Sequence, residues 1–455
     1  MLSLDRINEY VTVVCQQIRW KKARFRVSEE MQNHIIDGRD SYMAQGLDEN
    51  TATEKALTDT GDATVIGTQL DRIHRPKPQW SMFVATAILL ILGLLVRLFV
   101  FNDEDRIGLM SIRLLCTGIG VAGMIAAYFT DFTIIGKYPK TIYFGVISIS
   151  VAMLLFSPTT NGKSFYTQYI ILLFPLAFSA IIFATRNKGY SGILSCGLAF
   201  ALPSFIALYV PSVSGFLLFA IVGAALLGIA IYKKWFGTKR LYSFLLMLAP
   251  VALLTIVFFI SMTPYRWDRL AVAFNPSIDP NGAGYMGVMV RELLSGATFF
   301  GRGNIPSEYI VGLTEPYQFF YTDLLLTALI SHLGWIAFIV ILSALLFFIV
   351  KGFMLCFKQK SSLGLFVSMA IMMTFCMQVI SYIAYNLGFL FAAPISLPLI
   401  SYGNTATIIN LVLIGFMLSV FRTGDVVVDE KNPTITKLNK FISWNDGKLT
   451  INFKS

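Results

Sequence analysis

Ten stretches of about twenty apolar residues recur along this chain, and a run of that length crosses the hydrocarbon of a bilayer as a helix. They fall at roughly 80–101, 108–130, 141–157, 165–185, 190–210, 213–232, 241–262, 319–350, 362–388 and 398–421, the third being short and the eighth long. With 56% hydrophobic and 14% charged residues, an ordinary soluble enzyme is excluded. The expected fold class is therefore all-α: a polytopic membrane protein with about ten transmembrane helices. Met1 to Trp20 is amphipathic and charged, without the apolar core of a cleavable signal, so the first translocation signal is expected inside the chain.

Orientation follows from lysine and arginine in the short loops. One set holds Lys137, Lys140, Arg186, Lys188, Lys233, Lys234, Lys239, Arg240, Lys351, Lys358 and Lys360, whereas the opposite short loops hold only Arg106 and Lys163. This asymmetry predicts a multi-pass protein of the plasma membrane with both termini cytoplasmic and residues 263–318 outside. That outer segment carries Arg266, Asp268, Arg269, Asp279, Arg291, Glu292, Arg302, Glu308 and Glu315, with glycines at 282, 284, 296, 301 and 303. A connection of this length is uncommon unless it is functional. The net charge of +10 does not point to nucleic acid, because residues 1–79 hold 11 basic against 12 acidic groups and the other cations sit between apolar spans. Five cysteines without CxxC or Cys/His spacing read as free thiols, with neither a disulfide framework nor a metal site.

Residues 1–79 read as a small cytoplasmic helical domain that docks or regulates. Val27, Met31, His34, Ile35 and Met43 recur at near-helical spacing up to Gly46, which suits a C-terminal cap. A second helix is expected from Thr51, where Glu54 completes a capping-box pattern. Its spacing resembles the helical prefix domain found before some bacterial permeases. The membrane domain is expected over 80–421 and a short cytoplasmic tail over 422–455, where Val426 to Val428 alternate as a strand would.

Asp323 stands at the outer start of the eighth stretch with apolar neighbours, and a carboxylate at the hydrocarbon boundary costs a few kcal/mol on insertion scales. It is a functional candidate; the competing reading is a helix-start acid stabilised by the N-terminal dipole. Glu315, eight residues earlier, is a second acid that the same entry can bring close. His332 has no HxxxH or carboxylate companion, so a metal reading is unsupported. Arg113 in the second span needs a partner or the outer water layer. Lys163 and the arginines of the large loop, Arg269 and Arg302 among them, have the chemistry to bind a pyrophosphate, although solvated charge is the commoner role of each taken singly.

Four runs stand in order, Arg269 to Tyr285, Ser295 to Asn304, Glu315 to Gly334 and Leu397 to Thr405, and together they resemble the motifs of the shape, elongation, division and sporulation family, the FtsW/RodA/SpoVE group. Arg269…Asn275-Pro276…Asp279-Pro280-Asn281-Gly282-Ala283-Gly284-Tyr285 is similar to the family's R…DP…DPxGxGY, and the run Ser295 to Asn304 is similar to GGLFGRGLGN. Glu315 to Leu324, continuing to Leu333-Gly334, resembles LPExHTDF…EELG, and Leu397 to Thr405 resembles LPFISYGGSS. Other family positions differ: NGAxRWI stands here as Asn161-Gly162-Lys163-Ser164-Phe165-Tyr166-Thr167, QPSE as Phe174-Pro175-Leu176-Ala177, and EELG as Ser331-His332-Leu333-Gly334.

The resemblance implies a peptidoglycan glycosyltransferase that polymerises lipid II, an undecaprenyl-pyrophosphate-linked unit, with inversion at the anomeric carbon. It places the family's essential aspartate on Asp323 and its second acidic loop position on Glu315. Arg269, Arg302, Gly301, Gly303, Lys163, Ser401 and Tyr402 become the candidate substrate-binding residues. No cofactor is called for; a divalent cation assisting the departing pyrophosphate is left open. The implied partners are membrane lipids and a separate class B penicillin-binding protein, since no SxxK acyl-transfer motif is present. The competing class is a lipid-linked precursor translocator or a scaffold for cell-wall enzymes, favoured by the missing QPSE and EELG acids.

Overall fold

The computed structural model describes residues 2–100, 106–160, 163–164, 166–210, 212–260, 264–306, 323–401, 403–424, 442–445 and 448–451. Two compact units emerge, one built on Met1–Pro78 and the other on Gln79–Gly424.

The smaller unit holds α1 (Leu2–Gln17), α2 (Lys21–Ala44), α3 (Glu49–Thr60) and α4 (Ala63–His74). Their apolar faces close over two clusters, Ile7, Val11, Ile35 and Ala56 in one and Val14, Ile18, Ala23 and Val27 in the other. Past the end of α2, Gly46 takes a φ of +93° and its N–H donates to the Met43 carbonyl. The start of α3 differs from the capping-box expectation. Asp48 is the cap, its carboxylate accepting the Thr51 N–H at 3.2 Å, so Thr51 already lies inside the helix. Aspartate caps better than threonine, and it stands where the chain is still extended. Asp62 caps α4 in the same way. Hydrogen bonds from the Thr51 and Thr64 side chains hold both carboxyls below the usual range. These caps therefore act fully above the ordinary carboxylate pKa and are lost as pH falls through the depressed values.

The larger unit runs through α5 (Trp80–Val100), α6 (Arg106–Phe129), α7 (Thr133–Lys137) and α8 (Pro139–Phe156), then a minimal hairpin of β1 (Thr159–Thr160) and β2 (Lys163–Ser164). Next, α9 (Thr167–Ile170) passes through a 3-10 turn, Ile171–Leu173, into α10 (Phe174–Ala184). It continues with α11 (Gly189–Tyr209), α12 (Val213–Tyr232), α13 (Arg240–Ile260), α14 (Pro264–Phe274), α15 (Tyr285–Ser295), α16 (Leu325–Leu333), α17 (Trp335–Phe357), α18 (Ser362–Asn386) and α19 (Asn404–Thr423). In the tail, β3 (Ile442–Asn445) pairs antiparallel with β4 (Lys448–Ile451); Val426 to Val428 lie outside the described residues.

Among the described residues eight helical segments are long and apolar enough to cross a membrane, and two shorter ones, Trp80–Val96 and Arg240–Ala249, fall on the first and seventh stretches. The polytopic all-α class is the one expected from hydropathy. The segments Thr167–Ala184, Ser362–Asn386 and Asn404–Thr423 are each 72% buried, while Pro139–Phe156 is 11% buried, so the first three form an inner group and the last faces outward. At the seam of α6 and α19 a Cβ on Gly415 would meet the Met124 carbonyl oxygen at 2.3 Å, and one on Gly120 would meet the Leu411 side chain at 2.7 Å. Small residues let the two backbones approach, as they do where helices associate without a hydrophobic drive.

The eighth stretch departs from the expected single long helix. It is divided into the nine-residue α16 and the spanning α17, with the break at Gly334, whose φ of +88° and ψ of 175° lie in a region that only glycine occupies readily. A Cβ there would meet the Phe299 carbonyl oxygen at 2.5 Å. Hydropathy does not register backbone dihedrals, so a uniformly apolar run conceals the turn. Gly334→Ala is expected to cost about 1–3 kcal/mol for the backbone conformation alone, with displacement of residues 298–299 in addition. A detergent thermal-stability curve that superposes on that of the wild type would remove this assignment.

Candidate functional site

Two segments of the larger unit enter the helical core without spanning it. The first is α16, in which Leu325 to Ser331 are all buried. The second is the irregular stretch between α18 and α19, in which Ile395 to Ser401 are buried. Asp323 is half-buried just ahead of α16, in the position of a helix-start acid.

Backbone N–H groups at a helix start have no partner within the helix. At α16 the capping position belongs to Leu324, which offers no side-chain acceptor. Asn386, fully buried at the end of α18, supplies one instead: its Oδ1 accepts the Thr327 N–H at 3.0 Å. Its Nδ2 donates to the Asp323 carbonyl at 2.8 Å and to the Tyr382 carbonyl at 3.0 Å. The Thr327 hydroxyl donates to the Asn386 carbonyl at 2.9 Å. The Thr327 N–H is thus met by Asn386 and not by the Asp323 carboxylate. Tyr169 and Tyr382 both lie within electrostatic reach of the Asp323 carboxylate. The Tyr382 hydroxyl is placed among the Leu325 N–H, the Asn386 amide and the Ser401 hydroxyl.

The far end of α16 is closed by the glycine-rich run. Gly301 N–H donates to the Leu333 carbonyl at 3.1 Å and Gly303 N–H to the Ser331 carbonyl at 2.9 Å, while Trp335 N–H returns a bond to Thr298 at 3.1 Å. A Cβ on Gly303 would meet the Gly296 carbonyl oxygen at 2.5 Å. The N–H groups of Gly301 and Gly303 are thus spent on a helix end, and these residues shape the site rather than offering a free anion cradle. His332, in the last turn, shares a 2.9 Å hydrogen bond between its Nδ1 and the Ala328 carbonyl.

Arg113 of α6 is buried, and its guanidinium donates to the carbonyls of Ser401 (3.1 Å), Leu399 (3.4 Å) and Ile400 (3.5 Å). Of the two alternatives, a partner or the outer water layer, these backbone carbonyls supply the first. Leu399 has a φ of +65°, costly for a branched side chain. Ser401 turns its hydroxyl inward to accept the Leu397 N–H at 2.8 Å. Behind it, Gln378 and Asn410 exchange side-chain hydrogen bonds at 3.3 Å and the Ser396 hydroxyl donates to Gln378.

In the long connection between α13 and α16 Asp279 accepts the Ala283 N–H at 2.8 Å, and glycines at 282 and 284 leave room for the turn that starts α15. Arg302 is exposed. Arg269 lies in α14 and Lys163 in β2, where the description covers the backbone alone. Glu315 and Tyr402 lie outside the described residues. The five cysteines are free thiols. Among the described residues no group of three or more His, Cys, Asp or Glu could hold a metal ion. Sequence reasoning did not single out Asn386, Tyr382 or Tyr169. An asparagine ending an apolar span two residues before a glycine looks like an ordinary helix terminus.

A family model described as "Cell cycle protein", FTSW_RODA_SPOVE, matches residues 79–425. The chain is 25% identical to the probable peptidoglycan glycosyltransferase FtsW of Trichlorobacter lovleyi over 185 residues, covering 40% of this chain and 47% of that one. It is 30% identical to the protein of the same name in Geobacter sp. over 203 residues, covering 44% and 54%. The match therefore spans about half the length of these FtsW relatives. To the peptidoglycan glycosyltransferase MrdB of Escherichia coli K12 it is 22% identical over 360 residues, covering 74% and 92%. Among solved structures, the rod shape-determining protein RodA of Thermus thermophilus superposes with a TM-score of 0.52 at 13% identity, covering 76% of this chain and 97% of that one. A chain from a structure described as a peptidoglycan synthase complex coordinating polymerization and crosslinking gives a TM-score of 0.57 at 18% identity, covering 76% and 98%. At such identities these superpositions establish the shared fold.

Proposed function

The chain belongs to the FtsW/RodA/SpoVE family of cell cycle proteins, and from that premise we propose that it is an inverting glycosyltransferase that polymerises lipid II into glycan strands at the outer membrane surface. The observation that carries this reading is Asp323, a carboxylate at the mouth of a buried half-helix whose Thr327 N–H is met by Asn386. The names of its relatives support the same chemistry.

In this reading the Asp323 carboxylate accepts the proton of the sugar 4-hydroxyl as that oxygen attacks the anomeric carbon from the face opposite the leaving pyrophosphate. Glu315 adds charge to the same outer site. Cations stabilise the departing pyrophosphate best where water is scarce, a role assigned to Arg302, Arg269 and Lys163. Gly301 and Gly303 hold α16 and Ser401 belongs to the second entering segment, so these three shape the substrate groove, and Tyr402 is assigned to substrate binding with them. Since the chain has no SxxK motif, crosslinking falls to a separate class B penicillin-binding protein. The test of the activity is strand formation from labelled lipid II by the purified protein. No product with any transpeptidase partner would move the chain to the translocator or scaffold class.

This chemistry requires residues 263–318 outside and both termini, with the small helical unit of residues 1–79, in the cytoplasm. The eleven basic residues in one set of loops against two in the other support it. In intact cells, with the native cysteines replaced, an impermeant thiol reagent is expected to label Asn281→Cys and to spare Lys233→Cys. The reverse pattern would invert the topology and remove the proposed site from the outer face.

A further inference from the structure

We propose that Asn386 is a positioning residue for the Asp323 carboxylate, fixing where the base stands relative to α18 and not only capping α16. The inference rests on the reading of Asp323 given above. Its carboxamide is engaged on both faces by Thr327, Asp323 and Tyr382, at distances of 2.8–3.2 Å. The clamp therefore grips the main chain at Asp323 itself and again four residues later, and ties both points to a helix 63 positions away in sequence.

A cap that served α16 alone would need only the acceptor half of this arrangement. The donor half, Nδ2 to the Asp323 carbonyl, makes no contribution to the hydrogen-bonding of the helix, because α16 starts at Leu325. It holds the peptide that carries the carboxylate. The same donor reaches the carbonyl of Tyr382, whose hydroxyl lies next to the Leu325 N–H. Base, half-helix start and buried tyrosine thus move as one body through Asn386. Loss of the clamp would let the Asp323 peptide relax outward, and a misplacement of about 1 Å at a reacting group can cost about 100-fold in rate.

The experiment compares strand formation and lipid II binding for folded Asn386→Leu, which is similar in size and lacks both halves of the clamp. Turnover is expected to fall about 10- to 100-fold while lipid II affinity stays within about 2-fold. Wild-type turnover, or a loss of affinity that matches the loss of rate, overturns the inference. If that variant does not fold, Asn386→Ser carries the same test, since serine is polar but too short to bridge Asp323 and Thr327. A second measurement uses Asp323→Glu, which already displaces the carboxylate by one methylene. In that background the Asn386 substitution should cost less than about 3-fold, because residues acting as a unit are not additive. Losses that simply multiply overturn the coupling. The two readings fail separately. A polymerising Asp323→Asn removes the base assignment, whereas an inactive Asp323→Asn beside a fully active Asn386→Leu removes only the positioning role.

Discussion

Asp323→Asn is expected to lower glycan-strand formation by roughly 100-fold or more, the usual contribution of a general base, with folding and membrane insertion intact. The swap preserves shape and hydrogen-bonding capacity while replacing the carboxylate proposed as the base with a non-basic amide. A helix-start acid with no chemical role would behave otherwise, since asparagine caps helices about as well as aspartate. Here the Thr327 N–H goes to Asn386 at 3.0 Å and stays satisfied in the variant. A change in rate at constant folded yield therefore isolates the chemistry. The readout is product formed from labelled lipid II, normalised to monodisperse protein in detergent. Polymerisation at the wild-type rate would take Asp323 out of the mechanism.

How far the sequence carried depended on the range of the physics at each position. A bilayer demands about twenty apolar residues per span, so hydropathy located the spans, including Val213–Tyr232 at the residues expected. It failed at the eighth stretch because α16 and α17 are both apolar, and the break between them is set by a glycine dihedral and by hydrogen bonds with residues 298–303. At α3 the capping-box pattern pointed three residues too late, since Asp48 competed for the same N–H. Asp323 was legible alone, as a charge at the hydrocarbon boundary. Its setting was not: Asn386 and Tyr382 belong to a helix some sixty residues on, and nothing local marks them. Arg113 called for a partner or the outer water layer, and a partner it does meet, the Ser401 carbonyl, lies 288 positions away.

That last contact supports the second large expectation, a loss of stability in Arg113→Met by at least about 1–3 kcal/mol, the cost of leaving a buried acceptor unsatisfied. Methionine matches the length and the apolar stem but donates nothing. The carbonyls of Leu399, Ile400 and Ser401 would be left in an apolar core, and each unsatisfied buried acceptor costs about 1–3 kcal/mol. The main chain here has little freedom to turn away. A Cβ on Gly93 would meet the Leu399 carbonyl oxygen at 2.4 Å, so α5 presses on one side while the Arg113 fork holds the other. Leu399 itself is held at a φ of +65° that it would leave if released. Once it does, Ser401 shifts, and with it the hydroxyl beside Tyr382 that borders the proposed base. Arg113→Lys should recover only part of the loss, because an ammonium supplies a point charge where three carbonyls are met by a planar fork. Thermal unfolding in detergent, paired with strand formation per folded molecule, separates the two consequences: Arg113→Met should fall on both, Arg113→Lys should lie between it and the wild type, and an Arg113→Met protein as stable and as active as the wild type would mean that the loop keeps its shape without the guanidinium.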